Sequence, residues 1–422
     1  MSSFLPGALD AIGRANTTAR RAAQTGRGAP GRETATRPAE ARGDRLTLPV
    51  ARSPPSPPTA RAGWAGNWRA HNGCRSFGAG DRIALRAAWG LPSVSAIVTL
   101  LSPALFPLLF GLAFVLGSYS LFPLRWAPFL ITLERRRSGL RSKRIVVDGR
   151  SFHYLEGGTG VPVVMLHGFG ASADHWVRMS RSLVKRFRVV APDLPGFGET
   201  NASRSERFLV PMQAGRVRAF LHQLGIRRYH IVASSMGGNV AGVLAHDHPD
   251  EVQSLTLLEP LGIRSRIPTA MDLLIHKGQT PLVPSTAAEF DHIVELAFVK
   301  RPFIPRAVLR YMRAKALAAE PLHRVIWKDL LAGEPYLLEK NLPGIRAPTL
   351  VIWGDSDRFL HGSAVEKLER GLRDVRVVRM HACGHTPMLE RPAETRRHFE
   401  EFIAQLTRPV SSAGGATTAR RP

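Results

Sequence analysis

The chain has 422 residues, 44% of them hydrophobic and 22% charged, so its length and balance allow a sizeable core. Lysine and arginine number 58 against 33 acidic residues, a formal net charge of +25 that raises nucleic acid or an anionic membrane surface as a partner. No zinc spacing, RNA-binding signature or helix-turn-helix pattern accompanies that charge, so nucleic acid is set aside, and two cysteines, Cys74 and Cys383, are too few for a disulfide framework.

Residues 1–86 are rich in Arg, Ala, Gly, Pro, Ser and Thr and poor in large apolar side chains. The run Ser53-Pro54-Pro55-Ser56-Pro57-Pro58 can be neither helix nor central strand. This composition predicts a disordered basic tail; a transit peptide or an over-extended gene start would read the same way. Residues 87–124 carry no charge. About 20 apolar residues span a bilayer as helix, and this run exceeds that. Trp89 and Trp126 lie near its ends, where interfacial aromatics belong, and Pro103 and Pro107 are tolerated in a membrane helix. The segment is expected to be a single-pass anchor, with a buried core helix or re-entrant hairpin as the alternative. A basic juxtamembrane linker, 125–142, comes next. The C-terminal flank carries Arg125, Arg135, Arg136, Arg137, Arg141, Lys143 and Arg144, against Arg69, Arg75, Arg82 and Arg86 before the segment. Such flanks suit anionic headgroups, and the positive-inside rule puts the C-terminal domain on the cytoplasmic side.

From residue 143 short β-rich runs alternate with helical ones, the pattern of an α/β fold with a mostly parallel sheet. The predicted strands are Arg144–Val147, Ser151–Leu155, Pro162–Leu166, Arg188–Ala191, His230–Ser234, Ser254–Leu258, Thr349–Trp353 and Arg376–Arg379. Continuous apolar runs such as Val163-Val164-Met165-Leu166 belong to strands covered on both faces. These strands divide between core segments 143–260 and 347–407. The intervening residues, 261–346, are too many for a loop and predict a helical cap. Within it Phe290, Ile293, Val294 and Ala297 share a helical face after a cap at Ser285 or Thr286, and a second helix is predicted over Pro305–Leu317. A last helix is expected at Ala393–Leu406, and a disordered tail at 408–422.

The sharpest motif is Ala233-Ser234-Ser235-Met236-Gly237-Gly238, between the strand His230-Ile231-Val232 and a helix through Val240–Ala245. A nucleophilic serine in a tight strand-to-helix turn needs small residues two before and two after it, here Ala233 and Gly237. Ser234 would put Val232 and Met236 at those positions, so Ser235 is the predicted nucleophile. The first amides of the following helix are not bonded within it, so the Met236 N–H can hold an oxyanion. A second donor is expected at Phe169, in the loop His167-Gly168-Phe169-Gly170, where Gly168 and Gly170 allow close backbone approach, as Gly237 and Gly238 do at the elbow. His167 is expected to bond structurally. Asp357, in Gly354-Asp355-Ser356-Asp357 after a late strand, is the predicted acid, with Asp355 as a turn residue and Glu259 as the alternative acid. His385, in Cys383-Gly384-His385, is the predicted base.

These motifs, with Asp193-Leu194-Pro195-Gly196-Phe197-Gly198, resemble the α/β-hydrolase superfamily over about residues 143–406. Within it the chain is similar to membrane-anchored monoacylglycerol lipases of the abhydrolase-domain type and related bacterial lipases, through Pro281-Leu282-Val283-Pro284-Ser285-Thr286 and His385-Thr386-Pro387-Met388-Leu389-Glu390-Arg391-Pro392. The resemblance implies an α/β-hydrolase fold, a mostly parallel eight-stranded sheet flanked by helices, behind an N-terminal membrane helix. It implies hydrolysis of a lipid ester by water, a monoacylglycerol or similar acylglycerol, without metal or organic cofactor. Two rivals are weighed against it. A carbon–carbon bond hydrolase of aromatic degradation would carry Trp where Thr386 stands, and a non-catalytic scaffold would lack part of the triad.

Overall fold

A computed structural model describes residues 94–407, with 94–104 described by backbone alone. The basic tail 1–86, the start of the apolar segment and the tail 408–422 lie outside the described residues. Helix α1 spans Val94–Leu121 and α2 spans Pro123–Arg137. Among the described residues no single helix is long and apolar enough to cross a membrane. Leu105–Leu121 and Pro123–Arg137 meet that test together but are bent by 107° where they join. The single-pass anchor expected over 87–124 lies partly outside the described residues, and within them the chain turns at Phe122. Pro123 has no N–H to continue the ladder of α1, while its fixed φ suits the first turn of a new helix. The juxtamembrane segment is likewise folded onto the domain rather than a linker. The Arg135 guanidinium donates to both carboxylate oxygens of Asp174, at 2.6 and 2.8 Å, and Glu134 accepts from Arg178 at 3.0 Å.

Eight strands form one sheet: β1 (Arg141–Val147), β2 (Arg150–Gly157), β3 (Val161–Leu166), β4 (Phe187–Pro192), β5 (Tyr229–Ser234), β6 (Val252–Leu258), β7 (Thr349–Gly354) and β8 (Val375–Met380). Their order is β1-β2-β4-β3-β5-β6-β7-β8. The β1–β2 and β2–β4 pairs are antiparallel and the rest parallel. Every predicted strand is present, extended by a few residues at most. Successive side chains of a strand point to opposite faces, so Val164, Leu166 and Ile231 join one core while Val163, Met165 and Val232 join the other. Helix α3 (Val177–Leu183) covers the second face; α4 (Val210–Gln223) and α5 (Met236–Asp247) cover the first.

Between β6 and β7 lie α6 (Ala270–His276), α7 (Ala287–Ala297), α8 (Arg306–Ala332) and α9 (Leu337–Asn341). Thr286 is the cap of α7, its side chain accepting from the Glu289 N–H at 3.2 Å, and Phe290 is buried. Helix α8 is far longer than Pro305–Leu317 and runs through Pro321. The break expected after Leu317 is overridden because the next turns bury His323, Ile326, Trp327 and Leu330. Helix α10 (Val365–Gly371) then packs on the first face, and α11 (Pro387–Glu390) and α12 (Pro392–Leu406) on the second.

Burial favours the neutral form of four histidines among the described residues. Burial lowers His167 below its ordinary value, holds His175 down at about 3, and holds His230 and His323 down at about 4. An unfolded histidine titrates near 6.5. Below that pH the unfolded chain takes up protons that the folded chain refuses, so these residues lower stability as pH falls through 6.5. Four such groups give a slope of up to about 5 kcal/mol per pH unit. Chemical denaturation at stepped pH between neutrality and about pH 5 should show stability falling throughout; a flat profile contradicts the burial.

Candidate active site

Ser235 sits between β5 and α5 with φ 52° and ψ −121°, a conformation that side-chain-bearing residues rarely adopt. Such strain persists only where the surroundings over-determine it. Here the Ser235 N–H donates to Leu258 O at 3.0 Å, and its carbonyl accepts from the Gly238 and Leu261 amides at 2.9 Å. The turn also needs Gly237, since a Cβ there would stand 2.5 Å from His167 O and 2.6 Å from Leu166 O. A Cβ on Gly168 would meet the Ser235 Cβ at 3.0 Å and its Oγ at 3.6 Å, so the loop after β3 lies directly against the serine. In that loop Gly170 takes φ 68°, and the Phe169 N–H donates to no acceptor among the described residues. Met236 is the first residue of α5, the position whose N–H a helix leaves unpaired.

Asp357 lies in the loop after β7 and His385 in the loop after β8, both nearly enclosed. The His385 Nδ1–H donates to Asp357 Oδ2 at 2.8 Å, which leaves Nε2 free of the acid. Asp357 Oδ1 accepts from the Phe359 and Leu360 amides at 2.8 and 3.1 Å, so the carboxylate is fixed from its far side. The Phe359 ring meets the imidazole edge-on at 5.0 Å. The His385 loop is tied to the insertion too. The His385 N–H donates to Ala297 O at 3.0 Å, and Glu390 accepts from the Gly384, Val299 and Lys300 amides at 3.0, 3.2 and 2.8 Å. The sequence offered no signal for this clasp, because its partners are backbone amides distant in the chain.

The other residues singled out in the sequence divide in two. His167 is fully buried, donating from Nδ1 to Gly168 O at 2.8 Å and accepting at Nε2 from the Leu194 N–H at 2.9 Å, so it shapes the loop. Asp355 holds the turn through Ser356, Ala382 and His381. Cys383 is a free buried thiol, pushed up from its ordinary pKa chiefly by burial. His323 and Trp327 of α8 meet Phe169 edge-on at 5.6 and 5.2 Å, and so lay the insertion over the loop after β3. Their place could not be read from the chain, since α8 was expected to end before them.

Glu259 comes directly after β6, fully buried, with φ 42°. Burial, and then the charge of Asp357, hold its carboxyl well above the usual carboxylate range. One ligating atom each of Glu259, Asp357 and His385 lie within 4.8 Å of one another. These are donors of a kind that hold metals, but Asp357 and His385 already spend facing atoms on each other, and Glu259 is kept neutral. The set is better suited to sharing protons than to ligating a cation.

Residues 161–392 match the family model described as the alpha/beta hydrolase fold, and the chain belongs to that family. It is 32% identical over 300 residues to monoacylglycerol lipase abhd6-B of Xenopus laevis, covering 67% of this chain and 89% of that one. Among solved structures it is similar to a bacterial membrane phospholipase A, with TM-score 0.67 and 35% identity over 73% of this chain and 100% of that one. A putative lipase of Acinetobacter baumannii gives TM-score 0.63 and 28% identity over 66% and 96%.

Proposed function

We propose that this chain is a serine hydrolase that cleaves carboxylic esters of lipids, with a monoacylglycerol or similar acylglycerol as substrate. Two observations together carry the reading: the His385–Asp357 pair held from both sides, and the strained serine turn with the unpaired Phe169 and Met236 amides. In this mechanism Nε2 of His385 takes the Ser235 proton as Oγ attacks the ester carbonyl. Asp357 keeps the proton on Nδ1 and stabilises the imidazolium. The Phe169 and Met236 amides hold the oxyanion as it forms. His385 then protonates the leaving alcohol and activates water against the acyl-enzyme.

The relatives named as lipases support a lipid ester over a small soluble one. So does α1, on which Phe106, Leu108, Leu109, Phe110, Leu112 and Phe114 are all exposed. A helix apolar on every side and uncovered by protein is suited to lipid. In this reading α1 and α2 attach the enzyme to the membrane, the basic flank faces anionic headgroups, and the catalytic domain lies on the cytoplasmic side. The insertion 261–346 serves as the cap over the acyl site.

The test is hydrolysis of a 1-monoacylglycerol by the full chain in detergent, beside a short p-nitrophenyl ester. Cleavage of the lipid with the higher kcat/KM is the expected result. Cleavage of the short ester alone would overturn the lipid assignment, and cleavage of neither by folded protein would overturn the hydrolase.

A further inference from the structure

The acyl transfer proposed above leaves one buried acid at the site without a task. Glu259, at the end of β6, has no exposed surface and takes a left-handed conformation that glycine would adopt without strain. Oε1 accepts from the Gly354 N–H at 2.8 Å, while Oε2 is buried with no hydrogen-bond partner. A strained backbone and an unsatisfied buried carboxyl are separate costs met at one residue, and both would vanish with glycine in its place. Strain of this kind gathers at functional sites. The ionisable groups around Glu259 are Asp357 from the loop after β7, His385 and Cys383 from the loop after β8, and Glu390 of α11.

We propose that Glu259 is a positioning residue for His385, a second carboxyl set beside Asp357 that accepts the imidazole N–H when Asp357 cannot. Two carboxylates against one ring are not both ionised. While Asp357 carries the charge, Glu259 keeps its proton. If Asp357 loses its carboxylate, the repulsion goes with it; Glu259 releases its proton to water, and its side chain, with one oxygen within 4.8 Å of a ring nitrogen of His385, turns to the Nδ1–H. The proposal rests on the serine hydrolase reading.

The experiment measures kcat and KM against pH on a short p-nitrophenyl ester for the full chain. The variants are Asp357→Ala, Glu259→Gln and the double. Losing a triad acid costs on the order of 10⁴ in kcat. Asp357→Ala is expected to lose only about 10²-fold, because Glu259 takes over. Adding Glu259→Gln should cost a further tenfold or more, against about threefold or less in the wild-type background. A negative charge beside an imidazole raises its pKa, so adding Glu259→Gln to Asp357→Ala should also move the acidic limb of kcat/KM to lower pH. An equal factor in both backgrounds overturns the proposal, as does a limb that stays in place. Glu259→Asp in the Asp357→Ala background guards against a glutamine variant that does not fold. It draws the charge back by one methylene, so activity should fall while the limb remains, and no fall overturns the proposal. Full activity in Asp357→Ala would instead show that the triad itself is misassigned.

Discussion

Ser235→Ala is expected to lower kcat on any ester this chain cleaves by on the order of 10⁴–10⁶-fold, with KM little changed. The substitution removes only Oγ. Gly168 still lies against the turn, the elbow keeps its bonds with Leu258, Gly238 and Leu261, and the Phe169 and Met236 amides proposed to hold the oxyanion are left in place. What remains is stabilisation of a carbonyl with no covalent route, which is why some rate above that in water should survive. The alanine keeps a Cβ, so the strain at φ 52° stays, and thermal stability should shift by less than about 1 kcal/mol. Ser234→Ala is the control. Ser234 is buried at the end of β5, and its loss should cost less than about tenfold in kcat. If Ser235→Ala kept more than about a hundredth of the activity, the nucleophile would be elsewhere.

The second large effect is on folding. Asp193 is almost wholly buried, and it links four groups across the loops around the sheet. Oδ2 takes bonds from His153 Nδ1 and the Glu199 N–H, both at 2.7 Å, and Oδ1 takes the Ala173 N–H at 2.7 Å. The backbone adds a fourth link, from the Asp193 N–H to His153 O at 2.9 Å. Burial works to raise this carboxyl, yet the bond and charge from His153, with His167 and the Ala173 N–H, hold it below its ordinary value. Asp193→Ala would strand a fully buried imidazole and two amides. Removing one partner of such a buried network costs about 3–5 kcal/mol, or on the order of 10 °C in Tm for a domain of this size. A thermal melt within about 2 °C of wild type would show that water or a rearranged loop replaces the carboxylate.

The same residue illustrates what the chain alone conveyed. Asp193-Leu194-Pro195-Gly196-Phe197-Gly198 stood out as a pattern, but nothing local told what the aspartate bonds, because His153 and Ala173 come from other elements. The elbow was legible because its constraint is local. A serine in a strand-to-helix turn needs small neighbours at fixed offsets, and the Gly237 Cβ contacts supply the steric reason. The bend at Phe122 was missed although Pro123 was in view, since a proline inside an apolar run is compatible with a kinked span as well as with two helices.

From the sequence by itself came the α/β class, the eight strands and the candidate serine, acid and base in chain order. Period, apolar continuity and turn sterics act over a few residues and are written in order along the chain. Tertiary structure alone decided how far α8 runs, that α2 is clamped to Asp174, that Glu390 ties the His385 loop to the insertion, and that Glu259 is shut in beside Asp357. Each depends on which distant groups the folded chain brings within a few ångströms, where desolvation and charge act and sequence spacing says nothing.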